Sequence, residues 1–416
     1  MAYDRTRSEI SLDSGLLRPP ARALAVRSPT VPTRPRLTVI LCLVTLLGAV
    51  ASGCSGEEQQ GTPSSTTAQP VDVTLPPLDL SINEQTIAFV SRLVVGTSLI
   101  QRPLDPAKQG EQQVVTLGKN VRAESLVWAP DGSTLYFVAT PEAEPPSANF
   151  EIWSLPADGT EPVQLTDDPG SDGGISVSPD GATIAFFSNR GNAATGDFDL
   201  WVMGADGTGA RKVVDSDAGV GEIQFTPDGQ NLVYVTRTIN SSTVWTVPLV
   251  GGSPTPLGAT TGIADQPDVS PDGTQIAFAG QLDGDPVSRI YLMAIDGTDV
   301  RALTSDTAGD RDPTWSPDGT KLAFTRVGLD EDEEPADLLY VLDVASGEAV
   351  IVSSVQGADA REPAWSSDGK FIAFTSNQSQ DDEIAVVAAD GSTGIFASGN
   401  PQAADTSPAW KPLPAG

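Results

Sequence analysis

The residues in this sequence that could do chemistry are mainly carboxylates, and several recur at one position of a repeated pattern. They lie directly before a recurring strand pattern, together with an amide and two arginines: Glu222, Gln266, Asp310, Arg311, Asp312, Arg361, Glu362 and Asp405. Such a group could bind a cation or a basic peptide, and two carboxylates about 5–10 Å apart could hydrolyse a glycoside. Alternatively, these residues are solvated loop ends that keep an acidic protein soluble.

The composition excludes several other kinds of function. The 416 residues include 55 Asp and Glu, 24 Lys and Arg and no histidine, which gives a net charge of −31. Without histidine the chain cannot form a Ser-His-Asp or Cys-His catalytic arrangement or a histidine-bound metal site. The negative charge would repel nucleic acid and anionic lipid, so we expect no nucleic-acid partner.

An acidic run, DEDEEPAD (330–337), is a weak candidate for a calcium site. Asp330, Asp332 and Glu334 could supply some of the roughly six to eight oxygen ligands that Ca²⁺ takes. The run lacks the ordered alternation and the glycine of a known calcium loop, and consecutive like charges usually extend into solvent. We therefore expect no cofactor, with Ca²⁺ as the alternative.

A repeat that occurs six times must position the candidate residues. Residues 312–326 read DPTWSPDGTKLAFTR, and apolar residues alternate with polar ones on each side of SPDG. Each copy predicts two strands joined by a type I turn, whose aspartate braces its own backbone. A second turn signal follows within each copy, so each unit predicts the four antiparallel strands of a propeller blade. The turn aspartates are 44–50 residues apart: Asp131, Asp180, Asp228, Asp272, Asp318 and Asp368.

The two ends of the repeat region predict a seventh blade. The C-terminal TSPAWKP (406–412) matches an opening strand, and the N-terminal QTIAFVSR (85–92) matches a second strand. Pairing them would close the ring and remove two exposed sheet edges. We predict an all-β, seven-bladed β-propeller of four-stranded antiparallel blades over 81–416, with six blades plus flanking strands as the alternative.

The loops of such a propeller divide between two faces. The first-to-second and third-to-fourth turns are short and uniform, and we call their side the turn face. The second-to-third loops and the blade connections share the opposite side, which we call the loop face. The second-to-third loops are variable and rich in acidic residues: 139–151, 189–199, 281–289, 327–337 and 376–383. Because binding residues concentrate in loops on a rigid scaffold, we expect the binding site on the loop face.

The first 80 residues read as an export and anchoring segment. Residues 1–53 predict a signal peptide with a long basic region, and the true start of translation could be Val31. Cys54 follows Ala-Ser-Gly, as in a bacterial lipoprotein signal, so we expect lipidation there and a disordered tether over 54–80. The alternative is an ordinary signal peptide with an incidental cysteine. We expect a protein outside the cytoplasm that contacts the membrane through this lipid anchor only.

The motifs PxWSPDGxxIAF and IYxxxxDGxxxRxLT, repeated over 85–412, resemble the TolB-like propeller repeat of bacterial envelope proteins. The resemblance implies the propeller fold. Similar repeats form the propellers of prolyl-oligopeptidase relatives. The propeller lyases of the family rely on histidine-bound metal, which this chain cannot form. We expect a non-catalytic envelope propeller that binds a protein or peptide through its acidic loop face. The alternatives are a carboxylate-dependent glycan or small-molecule hydrolase and a sugar- or ion-binding receptor.

Overall fold

The structure, a computed structural model, describes residues 85–413 apart from short internal gaps. The gaps are 94–95, 106–107, 109–110, 144–148, 193–195, 259–261, 283, 306–307, 330–334, 354–358, 378–380 and 399–402. The predicted signal peptide, Val31, Cys54 and the tether lie outside the described residues. So do the calcium candidates Asp330, Asp332 and Glu334.

The strands of the described residues are numbered in chain order. The chain enters with three strands of the ring-closing blade, blade 7: β1 (Thr86–Leu93), β2 (Gly96–Pro103) and β3 (Gln113–Gly118). Blade 1 contains β4 (Ala123–Trp128), β5 (Thr134–Ala139), β6 (Glu151–Pro156) and β7 (Val163–Gln164). Blade 2 contains β8 (Asp172–Val177), β9 (Thr183–Ser188), β10 (Asp199–Gly204) and β11 (Arg211–Val214). Blade 3 contains β12 (Gly219–Phe225), β13 (Asn231–Arg237), β14 (Ser242–Pro248) and β15 (Thr255–Leu257).

The second half of the ring repeats this order. Blade 4 contains β16 (Ile263–Val269), β17 (Gln275–Gln281), β18 (Arg289–Ala294) and β19 (Arg301–Ala302). Blade 5 contains β20 (Asp310–Trp315), β21 (Lys321–Leu329), β22 (Pro335–Asp343) and β23 (Ala349–Ser353). Blade 6 contains β24 (Ala360–Trp365), β25 (Phe371–Ser376), β26 (Glu383–Ala388) and β27 (Gly394–Phe396). The last strand, β28 (Ala404–Trp410), completes blade 7.

Strands from the two ends of the described chain close the ring. The sheet order of blade 7 is β28-β1-β2-β3, and β28 pairs antiparallel with β1 from Ile87 opposite Trp410 to Arg92 opposite Ala404. The opening strand of each blade contacts the opening strand of the next, and β28 contacts β4. The seven opening strands therefore surround the ring axis. The prediction of seven blades is confirmed, and the six-bladed alternative is wrong.

The short turns lie together on one side of the ring, as the sequence predicted. In blade 5 the Oδ1 atom of Asp318 accepts hydrogen bonds from the Ser316 hydroxyl (2.7 Å) and the Thr320 backbone N–H (3.0 Å). These bonds hold the pKa of Asp318 below its ordinary value. The backbone N–H of Val344, in the second turn of the blade, donates to the Thr320 carbonyl at 3.1 Å. The turn aspartates therefore brace the turn face, as predicted.

The core lies between neighbouring blades. Each second strand contributes one large aromatic side chain that is at most 2% exposed: Phe89, Phe137, Phe186, Tyr234, Phe278, Phe324 and Phe374. Full burial of such a side chain contributes roughly 1.5–3 kcal/mol. The opening-strand tryptophans link adjacent blades, since the Trp315 indole N–H donates to the Asp268 carbonyl at 3.0 Å and that of Trp365 to the Thr314 carbonyl at 3.0 Å. The repeated aromatic positions thus pack blade against blade.

None of the residues that the structure describes forms a helix long and apolar enough to cross a bilayer.

Candidate functional site

Each opening strand contains a bulge at the same position. In β20, Arg311 pairs with Thr325 and Thr314 pairs with Ala323, so Asp312 and Pro313 together face one residue of the partner strand. Asp312 has a φ of 53°, in the left-handed region that L residues rarely adopt. One residue of every blade shares this position and a φ between 44° and 58°, and we call this set the bulge ring: Ser125, Gly174, Glu222, Gln266, Asp312, Glu362 and Ser407.

The bulge ring contains four of the candidate residues from the sequence. The sequence placed Glu222, Gln266, Asp312 and Glu362 directly before the opening strands. The structure instead places them inside β12, β16, β20 and β24. Because these strands surround the axis, the four side chains lie at the inner edge of blades 3 to 6. Each strand runs from the loop face to the turn face, and these residues lie in its first half or at its middle.

Bulge-ring side chains bind the backbone of the next blade. The backbone N–H of Gln266 donates to Glu222 Oε2 at 2.9 Å, and that of Asp312 donates to Gln266 Oε1 at 3.1 Å. The Gln266 Nε2 atom also donates to Asp312 Oδ1. Further round, the backbone N–H of Ser407 donates to Glu362 Oε2 at 3.0 Å. The ring carboxylates therefore hold the inner strands together, and part of their hydrogen-bonding capacity is used within the fold.

Asp312 is a partly buried carboxylate of the bulge ring whose pKa is shifted. Burial raises its pKa above the ordinary value, and the negative charges of Glu362 and Glu222 act in the same direction. The Thr325 hydroxyl and Arg311 oppose this rise in pKa. Asp312 lines an open cavity of about 420 Å³ with Glu222 and Gln266. A cation that entered this cavity would relieve the repulsion between Asp312 and Glu222.

The arginines near the ring form ion pairs with acidic residues of the loop face. Arg311 pairs with Asp337 and Arg361 with Asp382. Arg237, which sequence reasoning missed, bridges Glu222 (Nη2 to Oε1, 2.5 Å) and Asp265 (Nε to Oδ1, 3.1 Å). Arg237 ends β13, opposite the start of β12, so its position follows from the strand register rather than from any motif. Because each of these guanidinium groups has a carboxylate partner, the loop face keeps an acidic character.

Two of the candidate aspartates lie below the loop face rather than on it. Asp310 is completely buried and forms an ion pair with Arg326. Asp405 is 1% exposed and lies between blades 6 and 7. Asp172 in β8, two residues before its bulge, is buried in the same way and pairs with Arg190. These three aspartates lie between the bulge ring and the loop-face ends of their strands, and their burial keeps them out of reach of a partner that stays on the surface.

No group of three or more Asp, Glu or Cys side chains in the described part of the chain is arranged to hold a metal ion. The ring carboxylates are spread over separate blades, and each one is also bonded to protein donors. The arrangement is suited to binding a positively charged group at the mouth of the axis.

The fold matches known propellers. The family model described as TolB beta propeller domain matches residues 191–413. A curated relative, the uncharacterized peptidase YuxL of Bacillus subtilis, is 33% identical over 97 residues, which are 23% of this chain and 14% of the relative. The matched segments cover between 14% and 36% of the length of the curated relatives.

Two solved structures, one of TolB and one of a lyase, have a similar fold. TolB from Acinetobacter baumannii superposes with a TM-score of 0.50 at 17% identity, covering 82% of this chain and 69% of TolB. Oligogalacturonate lyase from Vibrio parahaemolyticus superposes with a TM-score of 0.55 at 14% identity, covering 73% of this chain and 90% of the lyase. At these identities the likeness concerns the fold alone, because one propeller scaffold carries many functions.

Proposed function

This chain belongs to the TolB β-propeller domain family, and we propose that it is a non-catalytic propeller of the bacterial cell envelope that binds a protein or peptide. The partner contacts the loop face and presents basic side chains to the acidic mouth of the ring. The observation that carries this proposal is the bulge ring. Its carboxylates Glu222, Asp312 and Glu362 belong to blades 3, 5 and 6 and lie at one end of the axis.

The difference between the two faces supports this choice of surface. The turn face consists of short turns whose aspartates are bonded to their own backbone, so it offers little chemistry to a partner. The loop face carries the longer loops, and its arginines 237, 311 and 361 are already paired with carboxylates. A basic partner would meet an excess of negative charge there, which accelerates association and selects against acidic partners.

The hydrogen bonds of the ring support binding rather than catalysis. A catalytic carboxylate needs an oxygen within hydrogen-bond reach of the substrate. Glu362 Oε2 instead accepts from the Thr375 hydroxyl at 3.1 Å and from the Ser407 backbone. Asp312 accepts from Thr325 and Gln266. These carboxylates can still attract a cationic group without giving up their structural bonds.

The location of the protein is part of the same proposal. The sequence motifs of residues 1–80 suggest export and lipidation at Cys54, with the propeller held near the membrane by the tether. An envelope location would place the loop face within reach of other envelope proteins.

Photo-crosslinking in intact cells tests the proposal. A photo-reactive amino acid is placed at Asp217 or Glu124, which are exposed residues near the loop-face ends of β12 and β4. The control position is Ser346, an exposed residue of a turn-face loop. We expect one abundant envelope protein to be captured from Asp217 and Glu124 but not from Ser346. Absence of any protein adduct from the loop face, or equal capture from Ser346, would contradict the proposal.

A carboxylate-dependent hydrolase remains the second candidate, because Asp312 has a raised pKa and interacts electrostatically with Glu362. A carboxyl group with a raised pKa can act as the acid on a glycoside beside a second carboxylate. Any hydrolysis of envelope glycans by the purified protein is compared with that of the double variant Asp312→Asn, Glu362→Gln. Complete loss of activity in a folded double variant would favour the hydrolase, and unchanged activity would remove this pair as its site.

A further inference from the structure

Three buried aspartates occupy equivalent positions in three blades. Asp172, Asp310 and Asp405 each lie two residues before the bulge-ring residue of their opening strand. Their exposed fractions are 1%, 0% and 1%. A carboxylate so far from solvent is costly unless a positive group or several donors compensate its charge.

Two of the three aspartates have a guanidinium partner. Arg326 Nε lies 2.6 Å from Asp310 Oδ1, and Arg190 Nη2 lies 2.5 Å from Asp172 Oδ2. Arg326 is the residue directly opposite Asp310 in the pairing of β20 with β21. In these two blades a guanidinium group therefore pairs with the buried aspartate.

Asp405 has no such partner. The residue opposite it in the pairing of β28 with β1 is Ser91. The adjacent Arg92 donates to the Ala123 carbonyl at 2.6 Å, and Arg102 donates to the Ala397 carbonyl. Among the described residues, no donor reaches Asp405 Oδ1.

The surroundings of Asp405 favour occupation by a positive group. Burial raises its pKa, and the negative charge of Glu383 adds to the effect. The Ser91 and Ser398 hydroxyls oppose the rise. In the absence of a cation these two hydroxyls provide the main compensation for the charge.

A cavity leads from Asp405 to the surface. It has a volume of about 290 Å³ and lies between blades 6 and 7. Its polar lining includes Ser91, Ser398 and Arg102, whose guanidinium group is bonded to the Ala397 carbonyl, and its apolar lining includes Ile100 and Val114. Val114 is 54% exposed, whereas Asp405 is 1% exposed, so the cavity connects solvent with the buried carboxylate.

We propose that this cavity binds an alkylammonium or guanidinium group, whose charged head pairs with Asp405 and whose aliphatic stem lies along Ile100 and Val114. The ligand takes the place that Arg326 and Arg190 fill inside blades 5 and 2. A metal ion is a poorer fit, since the described residues here offer no group of three metal-binding side chains. The site is separate from the axial mouth and does not depend on the proposed function.

The pairing of Arg326 with Asp310 suggests the decisive variant. Ser91→Arg would place a guanidinium group opposite Asp405, in the register that Arg326 has opposite Asp310. It should fill the cavity from within, abolish ligand binding and raise the melting temperature. Asp405→Asn removes the charge and keeps the shape. Asp217→Asn, at an exposed loop-face position, is the matched control.

Titration calorimetry on the full-length protein in detergent tests the site. The probes are agmatine, as a free cation, and the capped tripeptide Gly-Arg-Gly, as a basic side chain of a polypeptide. We expect saturable binding of at least one probe to the wild type and to Asp217→Asn. Binding should be at least about tenfold weaker in Asp405→Asn and Ser91→Arg. Binding of agmatine alone would indicate a small-molecule ligand, and binding of the peptide alone would indicate a polypeptide.

Three results would overturn the proposal. The first is that neither probe binds the wild type, and the second is wild-type affinity in a folded Asp405→Asn variant. If Asp405→Asn does not fold, Ser91→Arg decides alone. Retained binding in folded Ser91→Arg would likewise exclude the site.

Discussion

Arg326 binds Asp310 through two nitrogen atoms, with Nε 2.6 Å from Oδ1 and Nη2 3.0 Å from Oδ2. The guanidinium carbon also lies 5.2 Å from the ring centre of Phe324 and 4.8 Å from that of Tyr340. Both charged residues are buried. The pair therefore links β20 to β21 between the bulge ring and the loop face, where water cannot take the place of either partner.

Removing Arg326 should be far more harmful than removing an exposed arginine. Arg326→Met leaves Asp310 buried without its partner, and we expect a loss of about 3–5 kcal/mol of unfolding free energy. The control is Arg361→Met, whose ion pair with Asp382 has side-chain exposures of 45% and 28%. That loss should stay below about 1 kcal/mol. Urea unfolding measures both, and equal small losses would show that the buried pair is not needed.

Glu151 should make stability depend on pH. Burial raises its pKa from an ordinary value of 4.5 to about 8. Between these two values the folded protein holds a proton that the unfolded chain releases, so the free energy of unfolding falls as the pH rises from 4.5 to 8. Glu151→Gln, which is neutral and keeps a hydrogen bond to Thr166, should therefore gain stability relative to the wild type between pH 5 and pH 8.5. The expected gain is of the order of a few kcal/mol.

Urea midpoints at pH 5 and pH 8.5 test this sign. The wild type and Glu151→Gln are compared with the exposed-site control Glu161→Gln, which should follow the wild type at both pH values. The same pH dependence in Glu151→Gln as in the wild type would show that Glu151 is ionised in the folded protein across this range.

The bulge ring should tolerate glycine but not a β-branched residue. Ser125 has a φ of 54°, and blade 2 already has Gly174 at the equivalent position. Left-handed backbone costs an L residue roughly 1–2 kcal/mol and is worst for β-branched side chains. We expect Ser125→Val to be less stable than Ser125→Gly by about that amount in thermal or urea unfolding. The neighbouring control Glu124→Val should cause no such loss, and equal stability of the two Ser125 variants would refute the expectation.

Loss of the last strand should open the ring. A chain that ends at Ala403 lacks β28, so β1 keeps β2 but loses its other partner strand, and the Trp410 indole no longer bonds the Ala364 carbonyl. We expect a loss of more than about 5 kcal/mol, close to the whole stability of a domain. Size-exclusion chromatography and circular dichroism should show misfolded oligomers, and a peptide of residues 404–413 should restore the monomer. A monomeric truncated protein with an unchanged melting temperature would argue against ring closure by β28.

Much of this fold follows from the sequence because each repeat contains its own turn signals. Each SPDG turn sets φ with proline, braces the backbone with aspartate and ends at glycine, so strand, turn and face could be assigned together. The seventh blade followed because 85–92 and 406–412 match complementary strands of the same repeat. These are local signals, and they need no knowledge of which strand contacts which.

The bulges carried a signal that the sequence reasoning did not use. Pro267, Pro313, Pro363 and Pro408 directly follow the bulge-ring residues of their blades. Proline has no N–H to donate, so inside a sheet it is confined to edges and bulges. The burial of Asp310 and Asp405 could not be read in this way. Whether an aspartate faces an arginine or a serine depends on strand register. A shift of one residue in the register moves every side chain of the strand to the other face of the sheet.

Closure by β28 also imposes an order in time. A ribosome makes β1 first and β28 last, with about 310 residues between them. At roughly 5–20 residues per second, about 15–60 s pass between the synthesis of β1 and that of β28. During that interval the ring cannot close, and the edge of β1 that β28 covers stays unpaired and open to pairing with another chain.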